Sequence, residues 1–210
     1  MLETSQASAP FDTNHPFEPQ RDEYERRVLL AGGPQSCREV GRVHEWRRVN
    51  EAPAVEMLEA MQPDVILVFG TGIIRPAVFR AAGIACLNLH GGNPETYRGL
   101  DSHLWAIYHG DFENLITTLH VVDDRIDTGD IVSQSHLEIP RGLELYQLRT
   151  VNTQACVELS LRALDTVNQG EAIPVRKQAS LGRYYSHMPA CLKQDAVRKF
   201  SQYTSCLATV

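Results

Sequence analysis

Asn88 and His90, one residue apart in Leu87-Asn88-Leu89-His90-Gly91-Gly92, are the pair in this sequence best suited to chemistry. The stretch reads as the end of a strand, where residues two apart point to the same face. Asn88 and His90 then project together, while Leu87 and Leu89 enter the core on the other side. An amide donor beside an imidazole suits acyl transfer. The amide stabilises an oxygen as it gains negative charge, and the imidazole holds or moves a proton. Gly91 and Gly92 permit a sharp turn and a close backbone approach. Taken alone, Asn-x-His also reads as a strand cap bonded to neighbouring loops, which is the commoner case.

A second piece is Asp123-Asp124-Arg125-Ile126-Asp127-Thr128-Gly129-Asp130. A carboxylate brought near His90 would raise the imidazole's affinity for a proton and accept a hydrogen bond from an attacking amine. By itself the segment is ordinary turn chemistry, and spacing alone does not bring Asp127 to His90. His120, on the strand before it, reads as a satisfied core or loop histidine. His90, His103, His109 and His120 show no compact ligand motif with cysteines, so no metal site is expected.

These residues need a scaffold, and the hydrophobic pattern supplies one. Residues 21–31 place Tyr24, Val28 and Ala31 at helical spacing. Residues 28–33 could instead run as a buried strand into a glycine turn, but the charged run before them favours the helix. Residues 43–49 alternate as a strand, and 51–61 form a helix with Pro53 in its first turn. Residues 65–69 follow as a buried parallel strand. A short helix over 76–82, a strand at 86–89, a helix around 104–108 and strands at 115–122 and 131–137 come next. A long helix over 143–167 closes at Asn168-Gln169-Gly170, and 193–203 form a short final helix.

Strands alternating with helices predict an α/β fold: an open, mostly parallel Rossmann-like sheet with helices on both faces. Residues 1–22 read as an irregular lead-in, 23–180 as the catalytic domain, and 181–210 as a tail packed on it. Residues 1–19 offer no apolar strand, so the first βαβ portion is expected to be missing or reduced.

Hydrophobic residues make up 43% and charged residues 22% of the 210, enough apolar material for a real core. The net charge of −6 argues against non-specific attraction to nucleic acid or an anionic membrane. The apolar run at 65–69 is far too short to cross a bilayer, and no secretory signal opens the chain. Five scattered cysteines fit reduced thiols, hence a cytoplasmic protein. Composition leaves the oligomer open, a homodimer included.

Four stretches in order and at matching spacing carry a family resemblance: Phe69-Gly70-Thr71-Gly72-Ile73-Ile74-Arg75-Pro76, Asn88-Leu89-His90-Gly91, Tyr97-Arg98-Gly99, and Ile126-Asp127-Thr128-Gly129-Asp130-Ile131-Val132. From Pro63 to Gln134 the chain resembles the folate-dependent formyltransferases, which act on glycinamide ribonucleotide, methionyl-tRNA or amino sugars. The resemblance implies attack by a neutral amine on the formyl carbon of 10-formyltetrahydrofolate. Asn88 would hold the formyl oxygen, His90 would stabilise the tetrahedral intermediate, and Asp127 would orient His90 and help remove the amine proton. It also implies that Gly72, Ile73, Ile74 and the backbone around Asp123 and Asp124 hold the pterin ring. Ile73 and Ile74 read equally well as core.

On the acceptor side the resemblance points to Gly91, Tyr97, Arg98 and His103, with Arg98 facing a phosphate or bracing a loop, and His103 supporting the site. Relatives often carry serine at the position of Gly92 and Leu-Leu-Pro where this chain has Asn93-Pro94-Glu95-Thr96, which alters the acceptor side. A C-terminal β-barrel like that of the tRNA enzyme does not fit after Leu143. The expected acceptor is therefore a small-molecule amine, in particular a nucleotide-linked amino sugar. Hydrolysis of 10-formyltetrahydrofolate and a non-catalytic folate-binding module are the alternatives. Tyr184 and Tyr185 would stack on a base or pack the terminal segment on the domain.

Overall fold

The computed structural model describes residues 2–3 and 9–208. Strand β1 (Leu2–Glu3) pairs in parallel with β2 (Glu45–Trp46). The opening segment thus does contribute a strand, although a minimal one. Of the expected strand over 43–49, Glu45 and Trp46 are the residues in a strand. Of the expected irregular lead-in, residues 1 and 4–8 lie outside the described residues. Helix α1 (Phe17–Leu29) begins inside it. Glu18 in its first turn and Arg26 and Arg27 in its last complement the helix dipole.

Helix α2 (Ala52–Met61) carries Pro53 in its first turn and ends on Gln62 in the left-handed region, φ 47°. It leads into β3 (Val65–Phe69), the single-turn α3 (Pro76–Phe79), β4 (Ala85–His90), β5 (Tyr97–Gly99) and α4 (Ser102–His109). Then come β6 (Ile116–Val121), β7 (Ile131–His136), α5 (Leu148–Asn168), β8 (Arg183–Tyr185) and α6 (Ala190–Cys206). Helix α5 starts later than the pattern suggests: Glu144 and Gln147 form a capping box on a preceding 3-10 turn.

The main sheet has the order β3-β4-β6-β7. Only β3 and β4 are parallel; β4–β6 and β6–β7 are antiparallel. The expected mostly parallel sheet is therefore an open mixed one. The excursion from β4 through β5 and α4 never crosses back over the sheet, so β6 must re-enter from the end where β4 left. The short link from β6 to β7 also allows only an antiparallel return.

Strand β3 is an edge and is not the buried strand expected. Val68 is buried, but Leu67 and Phe69 are 40% and 54% exposed. One face of the sheet buries Leu87 and Leu119 under Leu159 and Ala163 of α5. A second apolar cluster joins Ile107 of α4, Leu148 of α5 and Phe200 of α6 around Met188 and Phe17. No helix among the described residues is long and apolar enough to cross a membrane.

Candidate active site

The alternation in β4 puts Leu87 under α5 and turns Asn88 and His90 to the opposite face. The antiparallel register sets His120 directly across from Asn88, and Thr118 across from His90. This face of β4 and β6 is polar, and the loop over 122–130 folds back across it. Gly129 makes that path possible, since a Cβ there would lie 1.7 Å from Val121 O. The loop delivers Asp127, in the left-handed region with φ 53°, into the middle of the face.

Four side chains meet there. Asn88 Nδ2 lies 3.1 Å from His120 Nε2 and 3.5 Å from Asp127 Oδ1. His120 Nε2 is 3.4 Å from the same Oδ1, and His90 Nδ1 is 3.5 Å from Asp127 Oδ2. The Gly99 N–H donates to Oδ2 at 2.7 Å. His90 Nε2 faces Tyr97 O at 2.9 Å and His120 Nδ1 faces Val121 O at 2.9 Å. A carbonyl only accepts, so each of those nitrogens carries hydrogen. With His120 in its neutral form, Nε2 offers a lone pair to the Asn88 amide; with the ring protonated, Nε2–H points at Asp127. His120 is buried with both ring nitrogens partnered, as a satisfied core histidine would be, and it also borders the Asn88–Asp127 pair.

Burial would raise the Asp127 carboxyl, but His120, His90 and the Gly99 N–H together hold it below the ordinary carboxylate value. Burial pushes His90 below its usual value, with Asp127 and Tyr97 O opposing the shift. The site therefore keeps an anionic carboxylate beside a neutral imidazole whose Nδ1 is the open basic position. A proton taken there would sit against Asp127. That arrangement suits removal of a proton from an incoming nucleophile while an amide polarises an oxygen.

The other sequence candidates fall in several places. Gly72 and Ile73 are exposed and Ile74 half-buried on the loop after β3, which Asn50 clamps by donating to Ile73 O (2.7 Å) and accepting from Arg75 N (2.8 Å). Asp123 accepts from Thr128 Oγ1 at 2.7 Å and braces its own loop, while Asp124 is exposed. Gly91 packs on His103 and Asn152. His103 Nε2 donates to Ile116 O at 2.8 Å, and burial pushes its pKa down to about 4. The Tyr97 ring is buried, with its hydroxyl on Asp111 at 2.9 Å, so only its carbonyl touches His90. Arg98 donates to Gly182 O (2.7 Å) and Ile126 O (3.0 Å), bracing the acidic loop.

Gly92, where relatives carry serine, has no room here for a side chain. A Cβ would lie 2.6 Å from Ser102 Cβ and 2.9 Å from His90 Nε2. Tyr185 stacks on Trp105, and Tyr184 stays half exposed with its ring over Gly99. Among the described residues all five cysteines are free, and no group of acidic, histidine or cysteine side chains is placed to hold a metal ion.

Residues 19–159, well over half of the chain, match the formyl transferase family. The chain belongs to that family. The chain is similar to the methionyl-tRNA formyltransferase of Synechococcus sp. (strain JA-3-3Ab), 33% identical over 139 residues, 66% of this chain and 42% of that protein. The enzyme of the same name from Ralstonia nicotianae is 30% identical over 177 residues, 83% of this chain and 51% of that protein. The chain thus spans about half the length of the curated relatives it matches. Among solved structures, the formyltransferase PseJ from Anoxybacillus kamchatkensis, in complex with UDP-4,6-dideoxy-4-formamido-L-AltNAc and tetrahydrofolate, has a TM-score of 0.57 at 20% identity, covering 78% of this chain and 80% of that one. HypX from Aquifex aeolicus, in complex with tetrahydrofolic acid, has a TM-score of 0.53 at 22% identity, covering 74% of this chain and 28% of that one. These likenesses establish a shared fold.

Proposed function

We propose that this chain transfers the formyl group of 10-formyltetrahydrofolate to a primary amine of a small molecule, with a nucleotide-linked amino sugar as the acceptor. The observation that carries the reading is the meeting of Asn88, His90, His120 and Asp127 within 3.5 Å of one another's nearest partners on one sheet face. In this reading Asn88 gives one amide hydrogen to His120 and directs the other at the formyl oxygen, where negative charge develops. The amine nitrogen attacks the formyl carbon, and its proton moves to His90 Nδ1 against Asp127. The carbon–N10 bond then breaks and the proton returns to N10, leaving tetrahydrofolate and the formamide. Holding amine and donor together supplies much of the rate.

The loop over 72–74 suits the donor's flat apolar ring. Ile73 is 65% exposed there, and Asn50 fixes the backbone beneath it. Ile73, Ile74 and the backbone near Asp123 and Asp124 would hold the ring on opposite sides. We read the mixed sheet as part of a Rossmann-like fold. The acceptor reading is supported by the PseJ complex, whose ligands are a nucleotide sugar and tetrahydrofolate, and by the good coverage of both chains. The methionyl-tRNA relatives make a charged tRNA the competing acceptor.

The test is incubation with 10-formyltetrahydrofolate and, separately, UDP- and dTDP-linked amino sugars and methionyl-tRNA, with mass spectrometry for the formyl adduct. A formylated amino sugar is expected. Adduct on methionyl-tRNA alone overturns the acceptor, and loss of formyl to water alone overturns transfer to an amine.

A further inference from the structure

The loop that carries Asp127 is held from outside by a side chain that no local motif marks. Gln178 Nε2 donates to Asp127 O at 3.0 Å and to Gly129 O at 2.9 Å. Both acceptors are carbonyls, so the amide can face only one way. Its Oε1 is left buried without a hydrogen-bond partner. A buried amide that leaves its own oxygen unpaired is retained for its two donors.

Gln178 cannot drift with the loop, because the segment around it is anchored on both sides. Arg176 exchanges two 2.8 Å backbone hydrogen bonds with Ile131, and its guanidinium grips the Glu95 carboxylate at 2.9 Å. Beyond Gln178, Ala179 N donates to Glu95 Oε1 at 2.6 Å and Ser180 Oγ to Glu95 O at 2.9 Å. From the other side Arg98 Nη1 holds Ile126 O at 3.0 Å. Asp127 has φ 53°, a conformation that L residues adopt reluctantly. Relaxing it would rotate the carboxylate off His90, His120 and Asn88 together.

We infer that Gln178 is a positioning residue. It pins the strained peptide at Asp127 so that the carboxylate stays aimed at His90 and His120. The inference rests on the role given to Asp127 above.

Its test needs no acceptor. In the full chain with carbon-labelled histidines, the His90 titration is followed by NMR, with His90→Gln assigning the signal. The titratable groups near His90 are Asp127, His120 and His103. An opposite charge within 4–6 Å shifts a midpoint by about 1–3 units. Asp127→Asn should therefore lower the His90 midpoint by about 1 unit. Gln178→Met, which keeps the volume without donors, should lower it by about half as much. Lys177→Ala changes an exposed side chain of the same segment that takes no part in its anchoring, and should leave the midpoint in place.

If Gln178→Met behaves like Lys177→Ala while Asp127→Asn still moves the midpoint, the positioning role is wrong and the site reading stands. If Asp127→Asn moves nothing, both are overturned.

Discussion

Replacing His120 with leucine tests the part of the cluster that no motif announced. The change keeps a similar volume and removes the lone pair that Asn88 Nδ2 meets at 3.1 Å. One neutral hydrogen bond is worth about 0.5–1.5 kcal/mol, and a stranded donor in a part-buried site costs about 1–3 kcal/mol. Asn88 can recover part of that by turning its amide toward Asp127 Oδ1, now 3.5 Å away. That turn takes the second N–H away from the formyl oxygen. A whole oxyanion donor is worth about 2.7–4 kcal/mol, so partial misdirection should cost about 1.5–3 kcal/mol, or about 10–150-fold in kcat.

The assay is the initial rate of tetrahydrofolate formation from 10-formyltetrahydrofolate at saturating amine. The interaction is one made in the transition state, so kcat should fall while the KM for the donor stays within about twofold. His120→Gln can place its Oε1 near the lost Nε2 and should recover activity to within about tenfold of the wild type. A His120→Leu protein with wild-type melting and wild-type kcat would refute the reasoning. So would a glutamine variant no better than leucine.

Three further outcomes follow from the same geometry. Asp127→Asn should lower kcat/KM by about 10²–10⁴-fold, the range for loss of a positioned proton acceptor; steady-state rates decide it. Gly92→Ala should destabilise the protein by about 1–3 kcal/mol, because the added Cβ would press on Ser102 and His90; a melting point unchanged from wild type would count against the packing described here. Stability should also fall in acid in two windows. Burial lowers the folded-state pKa of His103 to about 4 and lowers that of His90 too, so the unfolded chain binds their protons first as pH drops below 6.5. The Arg176 bond and the Ala179 N–H hold Glu95 below its ordinary 4.5 against burial, so its contribution is present above that value and lost as pH falls through its folded value. Urea melts at several pH values should show His103→Gln flattening the first window and Glu95→Gln the second.

How much of this was legible depended on whether the governing contact was local. The period-2 pattern of β4 is local, so the shared face of Asn88 and His90 follows from residue spacing alone. Asp127 is brought to them by a loop that folds back over the sheet, which depends on Gly129 passing Val121 O; spacing could not supply that, and only resemblance pointed to it. The place of His120 beside Asn88 was hidden for a related reason. A mostly parallel sheet gives no ground for pairing it with Asn88, whereas the observed antiparallel register makes them direct neighbours. The available signal was the polar face of β6, where Thr118 and His120 alternate with Leu119 and Val121. Arg98, a suggested phosphate ligand, is drawn to two backbone carbonyls that no sequence pattern shows.

That polar face also indicates where chemistry can occur. Buried polar groups must find partners, and here nearly all have them inside the fold. Thr118 donates to Gly92 O at 2.8 Å and receives Gln134 at 3.1 Å. His90 Nε2 and His120 Nδ1 are committed to carbonyls, and the Gly99 N–H holds Asp127. The loose contacts are those between Asn88 and Asp127 and between His90 Nδ1 and Asp127, both at 3.5 Å. Catalytic hydrogen bonds commonly stay long until the reacting molecule tightens them. A substrate oxygen at the Asn88 amide and a nitrogen between His90 and Asp127 would fill the two gaps this network leaves, and those are the two atoms that formyl transfer to an amine must hold.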